Sequence, residues 1–96
     1  MMKIELSKPV QSEGKEISFL ELREPTGDDI VACGYPFRVY IGNDTDNDKK
    51  EQEAKIDVAV LAALASRLAE VPKSTIKRLS VVDFQKVVEG VLTFFG

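Results

Sequence analysis

Three aspartates, Asp44, Asp46 and Asp48, have the spacing of the first three ligands of an EF-hand calcium loop. Such a loop needs a glycine at its sixth position for a sharp turn and a bidentate glutamate at its twelfth. Lysines occupy both of these positions here, Lys49 and Lys55. The spacing therefore does not predict a calcium site, and the acids are interpreted as part of a solvated loop.

Two pairs of carboxylates, Asp28 with Asp29 and Glu21 with Glu24, have the residue type that general acid–base catalysis uses. Adjacent residues of a helix point away from one another, and no nucleophile or metal ligand accompanies either pair. The sequence contains no histidine and one cysteine, Cys33, which lies among apolar residues and is interpreted as a small buried side chain. We therefore expect neither an enzyme nor a metal or cofactor site.

The composition is that of one small domain. The chain has 96 residues, of which 44% are hydrophobic and 30% charged, so we expect a single domain over residues 1–96. The net charge is -3 and the basic residues are scattered among acids, which argues against nucleic-acid binding. The N-terminus lacks the apolar core of a signal peptide and the longest apolar run, 58–65, is too short for a membrane span, so we expect a cytoplasmic protein.

The first half of the chain predicts strands and one short helix. Residues 3–6 and 16–22 contain alternating or apolar runs, and they predict an antiparallel hairpin with a long loop over residues 8–14. A short helix follows over residues 28–33. Residues 37–41 carry aromatic and β-branched side chains and predict a short third strand, and residues 42–50 predict a mobile polar loop.

Two capping patterns mark helix starts. Pro25 disfavours helix at the residue before it, Thr26 has the side chain of an N-cap, and Asp29 stands three residues later, where its carboxylate can accept from the Thr26 amide. Ser80 and Asp83 repeat this spacing before the last helix. These four residues are interpreted as structural caps and not as chemistry.

The second half of the chain predicts two longer helices, which makes the fold mainly helical α+β. The first runs over about residues 51–71, with one apolar face made of Ala54, Val58, Leu61, Leu64, Ala65, Leu68 and Val71. A second side, Ile56, Val60 and Ala63, is also apolar, so this helix is either the central helix of the domain or a surface for a partner or a second copy. The last helix runs over about residues 81–95, and its apolar face contains Phe84, Val87, Val88, Val91, Leu92 and Phe95.

These residues carry a resemblance to a known family. The turn motif LREPTGD at residues 22–28, with Leu79 and Asp83 near the last helix and the closing pair Phe94 and Phe95, resembles the tail assembly chaperones of Mu-like and P2-like contractile-tailed bacteriophages. The turn motif is the most specific part, and the resemblance covers nearly the whole chain. The sequence departs from the family pattern at residues 33–35 and 43–50.

The resemblance implies a non-enzymatic protein of the host bacterial cytoplasm that binds the tape-measure protein, keeps it soluble during tail assembly and is absent from the mature virion. The alternative is a structural or adaptor protein that stays in the tail. Further implied partners are the tail tube protein, other copies of the chain, and a longer form made by ribosomal frameshifting, for which two phenylalanine codons near the end can form a slippery run. Helix-in-groove binding of the tape-measure protein makes seven residues the candidate partner-binding set: Ile56, Val60, Ala63, Val91, Leu92, Phe94 and Phe95.

Overall fold

The computed structural model describes residues 1–40 and 53–95, and within these ranges it confirms the α+β class with an N-terminal antiparallel hairpin. The predicted loop at residues 42–50 lies outside the described residues. The elements in chain order are β1 (Met2–Ser12), β2 (Lys15–Leu22), α1 (Gly27–Cys33), β3 (Phe37–Tyr40), β4 (Glu53–Ile56), α2 (Val58–Ala69), α3 (Lys73–Lys77) and α4 (Val81–Thr93).

The N-terminal hairpin closes through a tight turn. Glu13 and Gly14 have φ angles of 52° and 81°, the left-handed pair that suits the twist of a two-residue hairpin turn. The predicted loop over residues 8–14 is therefore wrong, because β1 continues to Ser12. Irregularity appears instead inside β1, where the register shifts between Glu5 and Val10. This bulge leaves the amides in between free to bond outside the sheet.

The predicted third strand is present over Phe37–Tyr40, and its partner is a strand that the sequence did not predict. Phe37 pairs with Ile56 and Tyr40 with Glu53 in antiparallel register. The predicted helix over residues 51–71 is consequently wrong at its start. Asp57 caps α2 instead, its Oδ1 accepting from the Val60 amide at 3.2 Å. Pairing with an aromatic, β-branched strand outweighs the intrinsic helix propensity of the residues before Asp57.

The last helix begins where the sequence predicts it. A short helix, α3, follows Pro72, and Ser80 Oγ accepts from the Asp83 amide at 3.2 Å at the start of α4. The last helix ends at Thr93, two residues before the predicted boundary, which is within the usual fraying of a helix end.

The core lies between the N-terminal hairpin and the helices α2, α3 and α4. Helix α4 packs against β1, and α2 packs against β2 and α4. The buried apolar residues are Val10, Leu20, Leu22, Leu61, Leu64, Ala65, Leu68, Ile76, Leu79, Val87 and Val91. Val58, predicted on the core face, is 56% exposed, because it stands at the first position of α2 beyond the edge of this core.

Gly90 allows α4 to approach the hairpin closely. A Cβ at this position would lie 2.9 Å from Ile4 Cδ1, 3.0 Å from Met2 Sδ and 3.3 Å from Leu22 Cδ1. Carbon atoms in contact prefer separations of about 3.5 to 4.0 Å. A larger residue at position 90 therefore requires the side chains of Met2, Ile4 and Leu22 to shift.

We predict that Gly90→Val lowers the free energy of unfolding by about 2 kcal/mol through overpacking. Urea denaturation followed by circular dichroism measures this change. The matched control is Gly27→Val, because a Cβ at Gly27 meets nothing within 4 Å. Equal losses in the two variants would show that close packing at Gly90 is not the cause.

Candidate functional site

The acidic turn between β2 and α1 is organised around one buried carboxylate. Asp29 is 1% exposed. Arg23 binds it with both terminal nitrogens, Nη1 to Oδ2 at 2.8 Å and Nη2 to Oδ1 at 2.9 Å. Arg67 Nε donates to Oδ1 at 2.8 Å, and the Thr26 amide donates to Oδ2 at 2.8 Å. The carboxylate therefore joins the end of β2, the start of α1 and the last turns of α2.

These donors decide the charge state of the site. The hydrogen bonds from Arg23, then Arg67 and the Thr26 amide, hold the pKa of Asp29 well below its ordinary value, although burial acts in the opposite direction. The same carboxylate raises the pKa of Arg23 and of Arg67. Both carboxylate oxygens are occupied by donors from the chain, so Asp29 is not placed to take a proton from a substrate.

The sequence placed Thr26 and Asp29 in the turn but missed both arginines. Arg23 is inside the quoted turn motif, yet its bidentate geometry depends on how β2 ends. Arg67 is 38 positions from Asp29 along the chain, and no local spacing connects the two. One weak signal for Arg67 was present in the sequence. It is a charged residue near the end of an otherwise apolar helix, and a buried acid elsewhere in the chain requires such a partner.

A second buried carboxylate, Asp83, joins α4 to the bulge of β1. Asp83 is 0% exposed. The Ser7 amide donates to its Oδ1 at 2.8 Å, and the Lys8 amide donates to its Oδ2 at 3.2 Å. Ser7 Oγ adds a third bond at 3.2 Å. The amides in the bulge have no partner on β2, and Asp83 accepts their hydrogen bonds instead. These bonds lower the pKa of Asp83, and the bond from the Ser7 amide has the largest effect.

An apolar surface lies where α4 ends beside the turn after α1. The Phe95 ring stands edge-on to those of Tyr35 and Phe37, with centroid distances of 6.2 and 6.3 Å. Phe37 pairs with Ile56 across the β3–β4 register. Directly after Ile56, the Asp57 amide donates to the Pro36 carbonyl at 2.8 Å, and this bond holds the start of α2 against the same turn.

We call this region the aromatic-end surface and define it by Tyr35, Phe37, Ile56, Val58 and Phe95. Tyr35 is 63% exposed, Val58 56% and Ile56 50%. Phe37 and Phe95 are partly buried and support the exposed members. The surface is assembled from three separate segments of the chain, and its exposed side chains come from two of them: Tyr35 after α1, and Ile56 and Val58 where β4 meets α2.

The structure separates the seven predicted partner-binding residues into different environments. Ile56 and Phe95 belong to the aromatic-end surface, and Val60 lies beside it, since a Cβ at Gly34 would be 4.0 Å from Val60 Cγ2. Val91 is 0% exposed in the core, so it is not available to a partner.

The other three predicted residues are Ala63, Leu92 and Phe94, all of intermediate exposure. Leu92 and Phe94 pack against the core, as Val60 and Phe95 also do. Ile56 ends a strand, so it does not share a helical face with Val60 and Ala63 as the sequence suggested.

Residues 1–40 and 53–95 contain no group of three or more His, Cys, Asp or Glu side chains that could hold a metal ion. In the same part of the chain, no helix has the length and apolar character needed to cross a membrane.

We predict that Asp29→Asn lowers the free energy of unfolding at pH 7 by about 3 kcal/mol, because two arginines lose their shared counter-ion. Chemical denaturation of the variant and the parent protein measures the difference. Asp28→Asn is the matched control: the Asp28 side chain is 85% exposed and its contact with Arg67 is 3.7 Å long. The control should change stability by less than about 0.5 kcal/mol. Similar losses in both variants would refute the special role of Asp29.

We further predict an acid dependence that belongs to Asp29 and Asp83. Their pKa values are lowered by folding, so the unfolded chain binds more protons than the native one in the acid range. The stabilisation is complete above the unfolded pKa of about 3.9 and is lost as the pH falls through the folded values. Unfolding free energies measured from pH 6 down to pH 2 should fall less steeply in Asp29→Asn than in the parent. Parallel curves would contradict this assignment.

Comparison with known proteins assigns the chain to a family. A profile described as phage tail assembly chaperone proteins, E, or 41 or 14, matches residues 3–96. Searches of curated proteins and of solved structures give no significant match. The profile match includes the turn around Asp29, the cap at Asp83 and the segments that form the aromatic-end surface. The chain therefore belongs to the phage tail assembly chaperone family.

Proposed function

We propose that this tail assembly chaperone binds the tape-measure protein, keeps it soluble while the tail is built, and leaves before the virion is complete. The proposal describes a non-enzymatic protein of the host cytoplasm. The observation that carries it is the aromatic-end surface, where the exposed side chains of Tyr35, Ile56 and Val58 accompany the partly buried rings of Phe37 and Phe95. Family membership supports a role in tail assembly, and this surface supplies a physical means of holding an apolar partner.

The surface has the chemistry that an amphipathic helix requires. A long helical partner exposes an apolar stripe that aggregates in water, and laying the stripe against apolar side chains removes it from solvent. Tyr35 combines a large apolar ring with a hydroxyl, a combination that is enriched in binding surfaces. The Phe95 ring contacts the Tyr35 ring edge-on, and the Phe37 ring contacts Phe95 in the same way. Partner helices therefore meet a surface whose aromatic members are already positioned.

The same proposal includes self-association and a longer frameshifted form that also contacts the tail tube protein. A chain of this size buries a modest core, and the apolar area at the aromatic-end surface is available to a second copy when no partner is bound. The gene sequence tests whether the longer form is made. An overlapping reading frame downstream of the Phe94 and Phe95 codons would support this part of the proposal, and the absence of such a frame would contradict it.

We predict that Val58→Glu reduces the soluble fraction of co-expressed tape-measure protein about tenfold or more, because it places a charge on the aromatic-end surface. Pull-down and sedimentation of the co-expressed pair measure this fraction. Val81→Glu is the matched control, since Val81 is also the first residue of a helix and is 81% exposed. Circular dichroism should show both variants folded.

Two results would overturn the proposal. The first is a tape-measure protein that stays soluble without this chain, or that is solubilised equally by the two glutamate variants. The second is detection of the chain by mass spectrometry in purified virions at the stoichiometry of a structural protein, which would favour a retained tail component.

A further inference from the structure

The N-terminal hairpin has one covered edge and one open edge. On β1, the bulge amides donate to Asp83, and Lys86 Nζ donates to the Glu5 carbonyl at 3.1 Å. Arg78 Nη1 donates to the Gln11 carbonyl, also at 3.1 Å. On β2, the described residues provide no backbone partner other than β1. Within residues 1–40 and 53–95, the outer edge of β2 therefore presents backbone donors and acceptors without a backbone partner.

The direction of this edge follows from one hydrogen bond. Just after β2 ends, the Arg23 amide donates to the Leu68 carbonyl of α2 at 3.1 Å. Backbone groups of a strand alternate between its two sides, so the amides of Glu21 and Phe19 point to the same side as that of Arg23. The amides of Phe19 and Glu21 therefore point away from β1, on the side where the Arg23 amide already binds α2.

A groove of about 390 Å³ runs between this edge and the end of α2. Leu20 and Leu68, both nearly fully buried, lie beneath it, and Ala69 and Val71 line the side opposite the strand. Helix α2 ends with Glu70 in a left-handed conformation, φ 58°, and this turn sets Val71 against the groove. The floor of the groove is therefore apolar, and the groove is open to solvent along the edge of β2.

The groove has an acidic rim. Three glutamates line it, Glu16, Glu21 and Glu70, and the lining contains no lysine or arginine; the α-amino group of Met1 is the cationic group among the lining residues. Glu70 Oε2 lies 3.8 Å from Arg23 Nε, at the long end of an ion pair. Glu16 and Glu21 have no ion-pair partner within the part of the chain that the structure describes. Their charge is therefore available to a cationic ligand.

We propose that the β2 edge and this groove bind an extended segment of a partner protein in which apolar and basic residues alternate. The segment adds as a third strand: its backbone pairs with Phe19 and Glu21, its apolar side chains enter the groove, and its basic side chains meet the glutamates. A two-stranded hairpin gains stability from a third strand. This binding mode uses a strand and a surface separate from the aromatic-end surface, so it does not depend on the function proposed above.

Charge argues against a second copy of the chain as the occupant. A two-fold symmetric contact places the same surface of both copies together, and here it would bring two acidic rims into one interface. Like charges facing one another across paired strands are destabilising. A basic partner segment removes this repulsion.

The test uses a seven-residue peptide of alternating lysine and valine, with acetylated and amidated ends, and its counterpart with glutamate in place of lysine. Backbone amide resonances of the isotope-labelled full chain are followed by NMR during titration. The lysine peptide should shift the amides of β2 and slow hydrogen exchange at Phe19 and Glu21, and the glutamate peptide should not.

Charge reversal provides the decisive control. The double variant Glu16→Lys/Glu21→Lys should bind the lysine peptide at least tenfold more weakly and should gain binding of the glutamate peptide. The double variant Glu13→Lys/Glu89→Lys changes the net charge equally away from the groove, and it should keep the preference of the parent. The proposal is overturned if the lysine peptide leaves the β2 amides unchanged, if both double variants behave alike, or if the β2 amides shift with protein concentration alone, which would indicate self-pairing.

Discussion

The carboxylate of Asp29 is the interaction on which the arrangement of the first half of the molecule depends. One buried charge receives donors from the end of β2, from the start of its own helix and from α2. Breaking such a contact leaves its partners without a counter-ion, so the three elements are held as a unit. Helix α1 is short, and its one fully buried residue is Asp29, so this ion cluster fixes where the helix begins. The segment that follows α1 supplies Tyr35 and Phe37 to the aromatic-end surface, and the bond from the Asp57 amide to the Pro36 carbonyl holds it against the start of α2.

Asp83 performs the corresponding task for the hairpin. Asp83 accepts hydrogen bonds from the Ser7 and Lys8 amides, which have no partner within the sheet, and these bonds hold α4 against β1. Gly90 then brings the same helix close to β1 and β2 further along. Both buried acids have the residue type of catalysis, and in both the shortest contacts join separate elements of the fold. In this molecule these two acids build the scaffold, and the surfaces that we propose for partners are an apolar patch and an open strand edge.

The features that the sequence predicted correctly are local ones. Thr26 with Asp29 and Ser80 with Asp83 are three residues apart, and the alternation of the hairpin is visible over a few positions. What it missed depends on distant residues. Strand β4 exists because Phe37–Tyr40 pairs with it, although its own residues favour helix. Arg67 reaches Asp29 only after α2 packs beside β2. Val91 was a candidate for partner binding because the sequence shows that it lies on the apolar face of the last helix. The sequence does not show which part of that face is buried in the core, and Val91 is fully buried there.

The most direct test of the central role of Asp29 is an NMR titration of its side-chain carboxyl carbon in the folded protein. The account predicts that this carbon keeps the chemical shift of an ionised group at pH values well below the ordinary aspartate pKa of about 3.9, and that Arg67→Gln moves its titration upwards. An Asp29 carboxyl that titrates at or above the ordinary value, unaffected by the loss of Arg67, would contradict the account.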